Sequence, residues 1–238
     1  MNVTGNGGGQ TRLYFNLASG ANLAADISQL ILVGFAGRDQ RAIDLHIREL
    51  ARSGIEAPAH TPCLYPVGTH LLTQGDRLSV YGKDTAPEVE FVLFTAGGRD
   101  YVTVGNDQSD LDAERLISPE KAKHLCPKAV ARRAWELNEC IDGWDRLRLR
   151  LRCNGSVMQD DSVDSLLRPE SLFALVGDAT DGKREGRMIF SGTIASPGAY
   201  PPGPYDVEIE LADPAKAQSI RHSFRVDLLL PLPAPAPF

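Results

Sequence analysis

A chain of 238 residues with 42% hydrophobic and 24% charged residues has an ordinary soluble composition and enough length for one domain with a sizeable core. A formal net charge of −6 argues against nucleic acid as a partner, because phosphate binding needs a clustered basic face. No run reaches the roughly 18–20 apolar residues that span a bilayer, so no membrane partner is expected.

In chain order, residues 1–10 are glycine-rich and expected to be disordered; their GNGGG run follows no strand, which disfavours a phosphate cradle. The start carries no apolar run behind a basic segment, so no secretory signal is expected. Residues 13–17 and 30–35 read as strands. A helix is predicted over 37–54, where Ile43, Ile47 and Leu50 fall at i, i+4 and i+7 and Gly54 supplies a stop. From 58 to 81, prolines, glycines and short apolar runs predict loops and brief strands. Residues 89–94 and 101–104 form a predicted hairpin around Ala96-Gly97-Gly98-Arg99-Asp100.

Residues 118–144 read as helical in part, interrupted at Pro127. A strand follows at 147–153, closed by the tight-turn pair Asn154-Gly155. Arg146, Arg148, Arg150 and Arg152 recur every second residue, which places them on one solvated or ion-paired strand face. A short helix is predicted at 165–175, and strands at 188–193, 207–211 and 223–230. The tail PLPAPAPF, residues 231–238, cannot join a regular ladder and is expected to be extended. Cys63, Cys126, Cys140 and Cys153 are widely spaced without a CxxC pair, so reduced thiols and a cytoplasmic location are expected. With no repeat and no linker, residues 11–230 read as a single mainly β domain with a few helices, an α+β class.

Five local patterns could carry chemistry. Glu88 and Glu90 lie two apart on a predicted strand and share a face. The hairpin would return Asp107 near them, and three converging carboxylates repel unless a cation such as Mg²⁺ or Mn²⁺ neutralises them. His46 and Glu49 are i, i+3 neighbours on the predicted helix, an arrangement that can orient an imidazole to activate water. Lys121, Lys123 and Lys128 cluster around the Pro127 break, where an ammonium could stabilise enolate charge. Asn154-Gly155 precedes Gln159 at a fixed offset, and Ser191-Gly192-Thr193 opens a loop whose amides could bind a carboxylate. Taken singly, each has a plainer explanation: a solvated strand face, a helix-surface pair, a basic helix end or ordinary turns.

The order and spacing of the five together resemble the fumarylacetoacetate hydrolase superfamily, over about residues 30–230. That family carries a helix-borne HxxE, a strand-borne ExE, a following Asp, a lysine before Cys/Ser-Pro, an LxxNGxxxQ turn and a late GTPxGxG loop. The corresponding residues are His46/Glu49, Glu88/Glu90, Asp107, Lys121 or Lys123 before Cys126-Pro127, Leu151 to Gln159, and Gly192-Thr193-Ile to Gly198. The late loop departs by reading Gly-Thr-Ile, and the arginine usual after the metal aspartate is missing, as in a divergent branch.

The resemblance implies a mixed β-sandwich or β-roll fold, a homodimer, and Mg²⁺ (or Mn²⁺) held by Glu88, Glu90 and Asp107. It further implies catalysis by His46, Glu49 and Lys123 or Lys121, with Gln108, Gln159 and Thr193 binding a small keto-acid substrate. The leading expectation is hydrolysis of a C–C bond in an acylpyruvate or diketo acid. Decarboxylation, hydration or tautomerisation of a 2-oxo acid is the alternative, and a non-catalytic binding protein on the same fold is the third.

Overall fold

The computed structural model describes residues 9–52, 57–196 and 198–229. The expectations for residues 1–8, for Gly54 and for the 231–238 tail lie outside the described residues, as do the side chains of His46, Glu49, Leu50 and Arg52.

The centre of the molecule is the strand Val89–Ala96, buried at all eight positions. Its near-continuous apolar run VEFVLFTA is what a strand covered on both faces requires. It pairs antiparallel with Arg99–Asp107 on one side and with Arg187–Phe190 on the other. The large sheet runs in the order Asn22–Ile27, Thr11–Leu17, Arg133–Glu136, Arg99–Asp107, Val89–Ala96, Arg187–Phe190, Gln29–Gly34, Cys63–Val67. Lys128–Val130 adds to the same sheet, pairing with Arg99–Asp107 and Leu72–Thr73.

A second sheet orders Ser156–Ser162, Arg148–Cys153, Tyr205–Asp213, Gln218–Leu229 and Arg77–Tyr81. Strand alternation divides the core between the faces. Val89, Phe91 and Leu93 pack with Leu149, Leu151, Ile209 and Leu211 of the second sheet. Val92 and Phe94 pack instead with Phe15, Leu32, Tyr101 and Phe190. The architecture is the expected mainly β one, two large sheets and a two-stranded pair of Thr85–Ala86 with Ser109–Asp110, with four α-helices among the described residues.

The predicted 89–104 hairpin forms, tied at its tip by Gly97 and Gly98 N–H groups donating to Glu185 at 2.8 and 3.0 Å. Asn154 (φ 49°) and Gly155 (φ 81°) make the sharp turn between Arg148–Cys153 and Ser156–Ser162. The alternating arginines are ion-paired: Arg148 and Arg150 with Asp160, Arg150 also with Glu210, and Arg152 with Glu208. Arg146 falls outside this strand, in a 3₁₀ segment.

Three expectations are corrected. Residues 118–144 hold one short α-helix, Pro119–Leu125, then the strands Lys128–Val130 and Arg133–Glu136 and two 3₁₀ turns. Tertiary pairing to the large sheet overrides the weak helical pattern, and Pro127 forces extension at Cys126 (ψ 145°). The helix expected at 165–175 runs Pro169–Asp178, opened by its proline. The strand expected to reach 193 ends at Phe190, where Gly192 takes φ +84°.

Candidate metal centre

The register of the central hairpin brings the carboxylates together. Glu90 lies opposite Gly105 and Val89 opposite Asn106, so the next pair outward is Glu88 and Asp107, whose N–H donates to the Glu88 carbonyl at 2.9 Å. Glu88, Glu90 and Asp107 then project from one face, with one oxygen from each lying within 4.8 Å of the other two. Glu88 is partly exposed, whereas Glu90 and Asp107 are buried.

Two lysines meet this cluster from different directions. The helix Pro119–Leu125 is capped by the Ser118 hydroxyl, which accepts from the Lys121 N–H at 3.3 Å, and it carries Lys123 over the carboxylates. Lys123 Nζ donates to Glu88 Oε2 at 3.2 Å and also to Asp107 Oδ2. Its ammonium stands 6.0 Å from the centre of the Tyr65 ring. The Lys121 side chain is exposed. Lys128 comes from within the sheet, directly across from Asp107, with Nζ 2.6 Å from Asp107 Oδ1 and donating to the Gln108 carbonyl at 2.6 Å.

The electrostatics follow from burial and these charges. Desolvation, reinforced by Asp107, pushes the Glu90 carboxyl well above the usual carboxylate range; Lys123 and the Gly192 N–H oppose this. Burial also works against the Asp107 charge, yet Lys123 and Lys128 outweigh it and hold that carboxyl low. Lys123 is held well above its ordinary value, since Asp107, Glu88 and Glu90 overcome its desolvation. Glu114, on the helix Leu111–Leu116, is raised by burial and by Glu88, so a fourth carboxylate borders the site.

The loop after Phe190 closes the floor. Gly192 N–H donates to Glu90 Oε2 at 2.8 Å, and a Cβ there would stand 2.8 Å from the Val33 carbonyl. The loop amide thus serves a protein carboxylate. Thr193 Oγ1 donates to the Val89 carbonyl at 2.8 Å and accepts from Gln159 Nε2 at 2.9 Å. Gln159 also donates to the Ile194 carbonyl and accepts from Val89 N–H at 3.1 Å, pinning the second sheet to the start of the central strand. The Gln108 amide turns away into a buried network, donating to Thr85 Oγ1 at 3.0 Å and Tyr205 Oη at 2.7 Å. Burial pushes the Tyr205 phenol up to about 12.

The structure therefore gathers Glu88, Glu90, Asp107 and Lys123 at one point, with Gln159 and Thr193 bracing the strand behind them. The helix Gln40–Arg52 carries His46 and Glu49, whose side chains lie outside the described residues. Lys128, the third lysine of the cluster around Pro127, joins the site as the buried partner of Asp107, and Glu114 is an addition to it. For Lys128 the signal was present in Pro127-Lys128-Ala-Val-Ala: a lysine in an apolar strand needs a buried partner. Glu114 had no such signal on an amphipathic helix.

The donor set fits a hard divalent cation. All three candidate ligands are carboxylate oxygens, the pattern that suits Mg²⁺ or Mn²⁺. Asp107 Oδ1 is buried and receives no well-directed hydrogen bond, although Lys128 stands close by, so the cluster is short of donors.

No curated protein matches the chain by sequence. A family model described as "Protein of unknown function (DUF2848)" matches residues 33–224. Among solved structures, a candidate fumarylacetoacetate isomerase/hydrolase from Oleispira antarctica aligns at TM-score 0.63 and 17% identity, covering 90% of this chain and 99% of that one. Fumarylpyruvate hydrolase from Pseudomonas aeruginosa, in complex with Mn²⁺ and pyruvate, aligns at TM-score 0.62 and 15% identity, covering 96% and 100%. The 5-carboxymethyl-2-hydroxymuconate delta-isomerase of Mycobacterium smegmatis gives TM-score 0.57 and 17% identity, covering 86% and 80%. Likeness at such identities speaks for the fold. With most of its length under one family model, the chain belongs to the family described as protein of unknown function DUF2848, built on the fumarylacetoacetate hydrolase-like fold.

Proposed function

We propose that the protein is a divalent-metal-dependent hydrolase that cleaves a C–C bond in a small acylpyruvate or diketo acid. The observation that carries this reading is the convergence of Glu88, Glu90 and Asp107 beneath the Lys123 ammonium. Mn²⁺ and pyruvate in the fumarylpyruvate hydrolase that shares the fold support both the ion type and the 2-oxo acid class. Mg²⁺ or Mn²⁺ held by these three carboxylates would supply Lewis-acid polarisation of the keto acid.

The chain's own groups then have distinct tasks. His46, oriented by Glu49 one helical turn away, takes a proton from the water that attacks the distal carbonyl. The C–C bond breaks toward the 2-oxo acid, and the carbonyl side leaves as a carboxylic acid. Lys123 donates a hydrogen bond to the oxygen on which enolate charge develops, and a proton returned to carbon completes pyruvate-type product. Thr193 and Gln159 hold the loop and strand that shape the substrate side of the site. Lys121 is the alternative to Lys123, and Gln108 contributes through its backbone position rather than its amide. The working unit is proposed to be a cytoplasmic homodimer.

The test is calorimetric titration of Mg²⁺ and Mn²⁺ with and without oxalate, an enolate mimic, on wild type and Glu88→Gln, followed by product analysis on acylpyruvates and oxaloacetate. Tighter metal binding with oxalate in wild type alone, with two acids released per acylpyruvate, is the expected result. CO₂ from oxaloacetate without acylpyruvate cleavage would make the protein a decarboxylase. An isomerised product would follow the isomerase of the same fold. Metal and oxalate binding no better than in Glu88→Gln would leave a binding protein. His46→Asn should abolish turnover at unchanged metal affinity; unchanged turnover would remove His46 from the mechanism.

A further inference from the structure

We infer that Lys128 is a fixed internal counter-charge that lowers the carboxylate cluster's preference for ions of higher charge. This rests on the metal reading above. The Lys128 side chain has no solvent exposure, and its strand is hydrogen-bonded on both sides, to Leu72–Thr73 and to Arg99–Asp107. Asp107 is its cross-strand neighbour, so the two side chains stand on the same face of the sheet. Its ammonium is fixed by the Gln108 carbonyl at 2.6 Å and lies 2.6 Å from Asp107 Oδ1, while Oδ2 of the same carboxylate faces Lys123.

The two lysines are therefore not equivalent. Lys123 sits on a short helix with 14% of its side chain exposed, and it can move aside for an ion or turn to a substrate oxygen. Lys128 has no route out. With Lys128 fixed beside Asp107, the charge facing an incoming ion is one unit less negative than the carboxylates would give without it. Each additional charge on an incoming ion is therefore rewarded less than it would be by the three carboxylates without Lys128. Coulomb attraction scales with ion charge, so a unit charge one carboxylate away changes the preference for each additional ionic charge by about tenfold or more.

A purely structural lysine would affect all cations alike, so the ratio of affinities separates the two roles. Full-length wild type, Lys128→Gln and Lys128→Arg would be titrated with Mn²⁺ by calorimetry and with Tb³⁺ by luminescence. Glutamine removes the charge and keeps a polar donor in the buried strand, and circular dichroism would check folding. The Tb³⁺ to Mn²⁺ affinity ratio should rise about tenfold or more in Lys128→Gln and stay near wild type in Lys128→Arg. An unchanged ratio in folded Lys128→Gln overturns the inference while leaving the metal site standing. A wild type that binds neither ion overturns the metal reading, and this inference with it.

Discussion

Glu90→Gln should make the metal-free protein more stable and the metal-treated protein less so, a crossing that a merely structural carboxylate would not produce. Glu90 is buried with oxygens of Glu88 and Asp107 within 4.8 Å, and unit charges at that separation repel by about 3–4 kcal/mol at an effective dielectric of about 20. Lys123 offsets part of this, leaving a relief of about 1–3 kcal/mol when an isosteric amide removes the charge and keeps an acceptor for the Gly192 N–H. For a chain of this size that is a rise of roughly 2–12 °C in Tm in EDTA. Metal at a hundred times Kd should stabilise wild type by about 2.7 kcal/mol and the variant by almost nothing.

The same comparison has a pH signature. Glu90 titrates above its unfolded value, so the folded state holds the extra proton in the window between them, and metal-free wild type loses stability as pH rises through that window. The variant lacks this contribution, so the difference between the two should widen from about pH 4 toward neutrality. Scanning calorimetry in EDTA and in Mn²⁺ at several pH values reads all three effects. A variant with no higher Tm in EDTA, or with an undiminished response to Mn²⁺, would refute the reasoning.

Gln159→Leu should lower stability by about 2–4 kcal/mol, because it strands the buried Val89 N–H and Ile194 carbonyl; an unchanged urea midpoint would show that the bridge between the sheets carries no energy. Gly192→Ala forces a side chain to φ +84° and against the Val33 carbonyl, so a loss of about 2–3 kcal/mol and weaker Mn²⁺ binding are expected; thermal scans and metal titration would check both. Lys123→Met should reduce turnover by about a hundredfold or more, whereas the exposed Lys121 should tolerate the same change; equal effects in a steady-state assay would dissolve the distinction between them.

The period-two placement of Glu88 and Glu90 and the Gly97-Gly98 turn are local features, and they sufficed to expect the central hairpin and three carboxylates drawn together; the Asn154-Gly155 turn of the second sheet was equally local. Burial of VEFVLFTA on both faces emerged only with the structure, although its near-continuous apolar run is what such a strand requires. The amino-acid sequence could not separate Lys121 from Lys123, since both lie on one short helix and only its docking angle aims one of them at Asp107. Nor could it show that Lys128 pairs across the sheet with Asp107, that Gly192 spends its amide on Glu90, or that the Gln108 amide turns toward Tyr205. Those outcomes depend on strand register and on contacts between residues far apart in the chain. Local propensity determined which residues could form strands and turns here; tertiary pairing decided which charges meet, because long-range contacts carry the desolvation that makes a buried charge find its partner.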